Sequence, residues 1–189
     1  MKILGIDPSL NSTGICLVED GKAPKYFLIV STNKYKSKKT QDFISGFKHR
    51  RLSVFLYNTQ EPLTNSYSDK ETAKTHNIIS IKNTLQNIIK KYKPDAAIME
   101  GVSYGSSGAV ADLAGLNYLF RSILYDYSVP LTVVSPNENK KNATGNGAAN
   151  KEEMIYAWHQ CDVIYKDIDK CIKTDDLADA YFLANFNNK

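Results

Sequence analysis

Three short apolar runs separated by polar turns occupy the first thirty residues of the chain. Apolar and β-branched residues fill segments 2–7, 15–19 and 26–30. Runs of this length predict strands, and the Asp20-Gly21 pair between the second and third runs is typical of a hairpin turn. The pattern therefore predicts three consecutive antiparallel strands, and the first of them ends on a carboxylate, Asp7.

A helical period appears further along the chain, where apolar residues recur three and four positions apart. The predicted helices cover residues 78–92, 110–127, 151–161 and 175–184, and two further strands cover 96–100 and 131–134. Residues 135–150 are predicted to form a polar loop. The order of elements, antiparallel strands first and alternating strands and helices afterwards, predicts an α/β fold: a mixed five-stranded sheet flanked by helices.

The stretch from about residue 32 to residue 75 follows neither pattern. Seven basic side chains stand against one acid, Asp42, between residues 34 and 51. Residues 51–57 are apolar enough to form one more strand. A long basic connection fits a solvated loop and a DNA-facing arm equally well. We interpret it as a basic insertion in a single domain that spans residues 1–189, a length typical of one domain.

Composition narrows the class of protein. The chain carries 24 basic and 20 acidic side chains, and all but three of the basic residues are lysines. Lysine makes point-charge contacts to phosphate, whereas arginine reads base edges through paired hydrogen bonds. Because no apolar run is long enough for a membrane span or a signal-peptide core, we expect a soluble, cytoplasmic protein. Three cysteines without a paired spacing predict neither disulfides nor a thiolate zinc site.

Four carboxylates stand where ionised acids are costly. Asp7 and Glu100 each end an apolar strand, and Asp176 and Asp179 share one face of the last predicted helix. Burial of such groups is unfavourable unless a cation neutralises them. Oxygen ligands without a histidine pair or thiolates favour Mg²⁺ or Mn²⁺. A turn or a helix N-terminus explains each acid singly, but the repeated placement at strand ends favours a metal site.

Four sequence blocks contain these acids and the residues around them. The blocks are ILGIDPS at residues 3–9 with the following Thr13-Gly14 pair, AIME at 97–100, GNGAANK at 145–151 and DLADA at 176–180. Together they resemble the RuvC-type Holliday junction resolvases of the RNase H-like superfamily. They occur in the family's order and span almost the whole chain. The connection before the first predicted helix is long, and in this length the chain resembles phage-encoded relatives of the family. The resemblance implies an RNase H-like fold.

The resemblance also implies roles for the acids and for one lysine. The metal-binding catalytic acids would be Asp7, Glu100, Asp176 and Asp179, which together hold two Mg²⁺ or Mn²⁺ ions per active site. Asp175 is an alternative to Asp176, because residues 175 and 179 also share a helix face. Lys151 is the fifth catalytic residue implied, as a contact to the scissile phosphate. An exposed lysine in the first turn of a helix is the alternative for Lys151.

Expected DNA contacts complete the implied site. They are Lys151 and a second family lysine at Lys140, Ser9 in the first block, and Ser103 and Tyr104 after the strand that ends at Glu100. The family places there an aromatic side chain that enters the junction. Ser103 stands at the expected offset and Tyr104 one residue later, and we assign the role to Tyr104.

The implied activity is metal-dependent hydrolysis of phosphodiester bonds in four-way and other branched DNA junctions. Two symmetric nicks need two active sites, which implies a homodimer without a membrane partner or nucleotide cofactor. The predicted helix over residues 110–127 is apolar around its circumference, so it is either the dimer interface or an ordinary core helix.

Three other functions are compatible with parts of the pattern. An RNase H-like nuclease could act on flaps or RNA–DNA hybrids, and a non-catalytic module could bind branched DNA. Sugar or acetate kinase-like ATPases also open with a strand, an aspartate and a hairpin, but they need a duplicated second domain. The 189 residues leave no room for one.

Overall fold

The structure, a computed structural model, describes residues 1–35, 37–102, 110–162, 164, 168, 172 and 174–186. The strands are β1 (Lys2–Asp7), β2 (Ser12–Glu19), β3 (Lys25–Ser31), β4 (Leu52–Tyr57), β5 (Ala96–Glu100) and β6 (Leu131–Val134). The helices are α1 (Lys38–Gly46), α2 (Tyr67–Tyr92), α3 (Val110–Asp126), α4 (Pro136–Thr144), α5 (Lys151–Cys161) and α6 (Asp175–Ala184). A single turn of 3-10 helix, Thr32–Lys34, follows β3.

The strands form one sheet in the order β4-β3-β2-β1-β5-β6. β2 is antiparallel to β1 and β3, whereas the β1-β5, β5-β6 and β3-β4 pairs are parallel. All strands except β2 therefore point the same way. Their carboxyl ends meet at one edge of the sheet, called here the C-terminal edge. The three antiparallel strands, the mixed sheet and the α/β class confirm the predicted fold.

The predicted strand count of five is wrong by one. β4 pairs in parallel with β3, from Tyr26 opposite Leu52 to Ser31 opposite Tyr57, and α1 lies on the crossover between them. The sequence indicated a strand at this place but not its partner. Residues 54–57 are all apolar, so the sequence shows little alternation, although Leu52, Val54 and Leu56 pack on one core in the structure. Parallel pairing depends on a connection that no local pattern encodes.

Two helices extend beyond what the apolar period predicts. α2 begins eleven residues before residue 78, where the Ser66 hydroxyl accepts a hydrogen bond from the Asp69 amide. α4 lies in the segment predicted to be a polar loop. Ser135 and Glu138 form a capping box at its start, with Pro136 in the first turn, and these residues stabilise a helix that has almost no apolar face.

Two hydrophobic cores cover the two faces of the sheet. On one face, strand residues such as Leu4 and Phe27 pack against α2 and α3 through Leu85 and Phe120. On the other face, Tyr26 and its neighbours pack against α5 and α6. Successive strand residues alternate between the two cores, as the pleat requires. None of the helices in the described part of the chain has the length and apolarity to cross a membrane.

Candidate active site

Two of the four acids lie side by side at the C-terminal edge. β1 and β5 are adjacent and parallel, and Ile6 pairs with Met99. Asp7 is the residue after Ile6 and Glu100 is the residue after Met99, so the two acids are neighbours across the strands. Both side chains are partly buried. Adjacent parallel strands thus bring together two carboxylates that are 93 residues apart in the chain.

Helix α6 brings the other two acids to the same edge because it lies directly on the backbone of β1 and β2. A Cβ atom on Gly5 would lie 2.2 Å from the carbonyl oxygen of Ala180, and one on Gly14 would lie 2.0 Å from that of Asp176. Only glycine permits this approach. The first turns of α6, with Asp176 and Asp179, are thereby held at the carboxyl end of β1.

The acids raise one another's pKa values. Burial, followed by the charge of Asp179, raises the pKa of Glu100 to about 7. Burial and the charges of Asp176 and Asp175 raise the pKa of Asp179 to about 6. The pKa of Asp7 lies well above its usual value because of burial and the charges of Glu100, Asp179 and Asp176. A partly buried cluster of oxygen ligands with excess negative charge suits a hard divalent cation.

Lysines engage two acids of this group. Asp176 Oδ2 accepts hydrogen bonds from the Ser12 hydroxyl and from Lys34 Nζ, the latter at 2.8 Å. Asp175 Oδ2 accepts from Lys151 Nζ at 2.7 Å. Within the described residues, no three carboxylate, imidazole or thiolate side chains are gathered tightly enough to form a ready cation site. The carboxylate oxygens are of the kind that binds a divalent cation, but the side chains do not lie close enough together to coordinate one ion in this arrangement.

The structure distinguishes the two neighbouring acids at the start of α6. Asp176 raises the pKa of Asp7 more than Asp175 does, so it lies in the stronger electrostatic contact with β1. The pKa of Asp175 is lowered: burial opposes ionisation, but the hydrogen bond and charge of Lys151 outweigh it. Each of the two acids binds a lysine, Asp176 binding Lys34 and Asp175 binding Lys151, and the stronger effect of Asp176 on Asp7 makes it the better candidate ligand.

The predicted DNA contacts lie around the acids where the structure describes them. Lys151 is the first residue of α5, largely exposed, and its contact with Asp175 directs it to the site. Lys140, on α4, is close enough to lower the pKa of Glu100 and of Asp179 by its charge. Ser9 lies in the β1-β2 turn, where its amide donates to Thr13 Oγ1. Ser103 and Tyr104 lie outside the described residues.

The basic stretch divides between two edges of the sheet. The 3-10 turn follows the carboxyl end of β3, so Lys34 lies at the C-terminal edge. Lys48 and Arg50 precede β4, at the opposite edge, and are exposed. Lys34 is thus the basic side chain of the described part of this stretch that contacts one of the four acids.

Sequence reasoning missed three residues of the site. Ser12 and Lys34 contact Asp176 from 164 and 142 residues away, and no local pattern relates them. Asn139 on α4 is fully buried, and its Nδ2 donates to the carbonyl oxygen of Asp179 at 3.3 Å. Its Oδ1 has no hydrogen-bond partner among the described residues. The capping box of α4 is the sequence signal for the helix that carries Asn139, whereas no local pattern places that helix beside the acids.

Solved structures define the class of fold. The chain superposes on Thermus thermophilus RuvC with a TM-score of 0.56 at 18% identity, over 97% of this chain and 91% of that one. The same protein in complex with a Holliday junction substrate gives 0.58, also at 18% identity, over 97% and 90% of the two chains. The yeast mitochondrial Holliday junction resolvase Ydc2 gives 0.53 at 15% identity, over 96% and 76%. The fold is the RNase H-like fold of the junction resolvases.

Sequence relatives identify the family. The crossover junction endodeoxyribonuclease RuvC of Ehrlichia ruminantium (strain Gardel) is 32% identical over 187 residues, which cover 97% of this chain and 94% of that protein. The RuvC protein of Prochlorococcus marinus subsp. pastoris is 25% identical over 188 residues, with the same coverage. No protein-family profile matches the chain. The chain belongs to the RuvC family of crossover junction endodeoxyribonucleases, which confirms the resemblance seen in the four blocks.

Proposed function

We propose that the protein is a crossover junction endodeoxyribonuclease that resolves four-way DNA junctions by metal-dependent hydrolysis. The observation that carries the proposal is the position of Asp7 and Glu100 side by side at the C-terminal edge of an RNase H-like sheet, with α6 packed on β1 and β2 so that Asp176 and Asp179 reach the same edge. Family membership gives the substrate class, since the relatives are crossover junction endodeoxyribonucleases by name.

The acids and lysines have separate tasks in this proposal. Asp7, Glu100, Asp176 and Asp179 would hold two Mg²⁺ or Mn²⁺ ions through carboxylate oxygens. Bound there, the ions would activate the attacking water and stabilise the charge on the leaving oxygen. Lys151, paired with Asp175 at 2.7 Å, would contact the phosphate and offset the negative charge that develops on it.

Junction binding would depend on phosphate contacts and DNA shape. Lys140 and Lys151 lie on two helices that border the acids, and the chain has few arginines with which to read base edges. Affinity should therefore decrease steeply with salt concentration. Ser9 and, beyond the described residues, Tyr104 are the other proposed contacts.

A homodimer in the cytoplasm is part of the proposal. One face of α3 is buried in the core through residues such as Phe120, while Tyr118 and Tyr125 on its outer face are 59% and 85% exposed. The Arg121 guanidinium lies over the Tyr118 ring at 4.6 Å. Exposed aromatic and arginine side chains are typical of protein interfaces. α3 would thus serve both the core and a two-fold interface.

One panel of DNA substrates tests the proposed function. Purified protein in Mg²⁺ is incubated with a four-way junction, a flap, an RNA–DNA hybrid and a linear duplex under one buffer. We expect cleavage of the four-way junction at least about tenfold faster than of the others, as paired nicks in strands of like polarity. Faster cleavage of flaps or hybrids would favour the general nuclease, and tight junction binding without cleavage would favour the non-catalytic module.

The pH dependence of metal binding is a further prediction. Folding raises the pKa of Glu100 from 4.5 to about 7 and that of Asp179 from 3.8 to about 6. Without metal, the stability due to these acids is present at low pH and is lost as the pH increases through about 6 to 7. Divalent cations bind the ionised carboxylates. We therefore expect Mg²⁺ to increase the melting temperature more at about pH 8 than at about pH 5.5.

Thermal melting in MgCl₂, with KCl at matched ionic strength as the control, measures this difference. An Asp7→Asn variant should show a smaller Mg²⁺ effect at the higher pH. Equal stabilisation by Mg²⁺ at both pH values would contradict the assignment of Glu100 and Asp179 as ligands.

A further inference from the structure

Lys34 forms a shielded ion pair inside the candidate site. Its Nζ lies 2.8 Å from Asp176 Oδ2, and the two side chains are only 15% and 14% exposed. Ion pairs on the protein surface are weak because water and salt screen them, whereas a shielded pair is screened much less. This lysine comes from the basic stretch, to which the proposed function gives no task.

The carboxylate oxygen that Lys34 contacts is shared with a second donor. The Ser12 hydroxyl, on the buried first residue of β2, donates to the same Oδ2 atom. An ammonium and a hydroxyl thus occupy lone pairs of an oxygen that a metal ion would also use. The charge of Lys34 opposes a second cation at the same place.

The basic stretch holds the lysine in this position. The Ser31 side chain caps the 3-10 turn and contacts the Thr59 hydroxyl, and the Thr59 amide donates to Thr32 Oγ1 at 3.1 Å. Asn33 Nδ2 donates to Glu61 Oε1 at 2.8 Å. These contacts fasten the turn to the segment that follows β4. β4 therefore has a consequence for the site, because the segment that follows it fixes the turn that carries Lys34.

Helix α1 secures the turn from its other side. Gln41 Nε2 donates to the carbonyl oxygens of Thr32 and Tyr35, at 3.3 and 2.7 Å, and Tyr35 is buried. The backbone on both sides of Lys34 is thus fixed, whereas its side chain is joined to the site by the contact with Asp176. Release of the ammonium requires a change of side-chain rotamers but no movement of the turn.

We propose that Lys34 is a positioning residue that holds Asp176 and competes with the divalent cation for its carboxylate. Cation binding at Asp176 then requires Lys34 to release it. This inference rests on the proposed function, in which Asp176 is a metal ligand. The released ammonium remains at the C-terminal edge near the cluster that Lys140 and Lys151 border, where a DNA phosphate is the anion that would accept it.

Mn²⁺ binding to the DNA-free protein, measured by titration calorimetry, tests the competition. We expect Lys34→Gln to bind Mn²⁺ about tenfold more tightly than the unaltered protein, because a competing unit charge is removed. Lys34→Arg keeps the charge and should stay within about twofold of it. Lys38→Gln, which removes an exposed lysine paired with Asp42, is the matched control and should also change the affinity little.

A double-mutant cycle separates competition at one carboxylate from a general charge effect. In an Asp176→Asn background, Lys34→Gln should no longer tighten Mn²⁺ binding, because the shared ligand is absent. In junction cleavage, Lys34→Gln should lower the Mg²⁺ concentration that gives half-maximal rate. Lys34→Met, with a side chain of similar length, is measured in parallel, and circular dichroism identifies any variant that does not fold.

The outcomes distinguish this inference from the proposed function. The inference is wrong if the folded Lys34→Gln and Lys34→Met variants bind Mn²⁺ as tightly as the unaltered protein does, or more weakly. Lys34 then does not compete for the carboxylate, but the metal site stands. If none of these proteins binds Mn²⁺, the metal site and the inference are both wrong. Tightening that persists in the Asp176→Asn background would also overturn the competition.

Discussion

Replacement of Asp7 by asparagine is expected to lower the rate of junction cleavage by about a hundredfold or more while leaving junction binding intact. Even residues that only orient a metal ligand contribute about 10- to 100-fold to affinity or activity, and Asp7 is proposed as a ligand itself. Asp7 is also the acid whose pKa responds to all the other acids of the cluster, so it lies among them. Asparagine keeps the shape of the side chain but removes its charge.

Two measurements separate the chemical step from binding. Single-turnover cleavage in Mg²⁺ gives the rate, and gel retardation of the junction in Ca²⁺ gives the affinity. Affinity should be unchanged or slightly higher, since a negative charge is removed from a surface that meets phosphates. Asp42→Asn, at an exposed position on α1, is the control and should cleave normally. Near-normal cleavage by Asp7→Asn would contradict the proposed site.

The four acids proposed for the site could be selected from the sequence because each one follows from a local pattern. An apolar strand that ends on a carboxylate can be identified in the sequence, and this pattern located both Asp7 and Glu100. The spacing of Asp176 and Asp179 on one helix is equally local. The packing that brings all four acids to one edge of the sheet also has a trace in the sequence, namely Gly5 and Gly14. Their need for close packing is apparent only from the position of α6 on β1 and β2.

The residues that neutralise these acids were not predictable in the same way. Lys34 meets Asp176 because β3 pairs with β2 and because the segment after β4 fastens the 3-10 turn that follows β3. Parallel pairing of strands separated by a crossover is a tertiary choice, and periodicity does not encode it. Lysine-rich sequence has the same appearance whether its side chains are solvated or buried against a carboxylate. The sequence therefore does not indicate that Lys34 lies at the C-terminal edge of the sheet while Lys48 and Arg50 lie at the opposite edge.

A second set of long-range hydrogen bonds joins Arg51, at the end of the basic stretch before β4, to helix α5. Asp162 ends α5 and is 7% exposed, and its Oδ2 accepts hydrogen bonds from the Tyr26 hydroxyl at 2.7 Å and from the Arg51 guanidinium. Trp158 Nε1 donates to the same tyrosine oxygen at 3.0 Å, and the Ile164 amide donates to Asp162 Oδ1 at 3.0 Å. Burial, together with the hydrogen bond to Asp162, raises the pKa of Tyr26 far above its usual value.

This group holds the edge of the sheet to the end of α5. Arg51 precedes β4, and its Nε also donates to the carbonyl oxygen of Pro24 at 2.9 Å. Tyr26 lies on β3, and its amide donates to the Arg51 carbonyl oxygen at 2.6 Å. The Asp162 carboxylate, at the end of α5, thus binds side chains from β3 and from the residue that precedes β4. A buried carboxylate of this kind is retained only when its partners satisfy it.

Asp162→Ala is therefore expected to destabilise the protein by about 3–5 kcal/mol, because it leaves the Arg51 guanidinium, 14% exposed, without its carboxylate. Tyr26→Phe removes one hydrogen bond from the same group and should cost about 1–3 kcal/mol. Urea denaturation followed by circular dichroism measures both changes. Asp20→Ala, which removes a solvent-exposed pairing with the amino terminus, is the matched control and should change stability little.

If Asp162→Ala were as stable as this control, the buried group would not hold the edge of the sheet to α5. A loss of junction cleavage by Asp162→Ala that parallels its loss of stability, and recovers on cooling, would assign the effect to folding and not to the four acids.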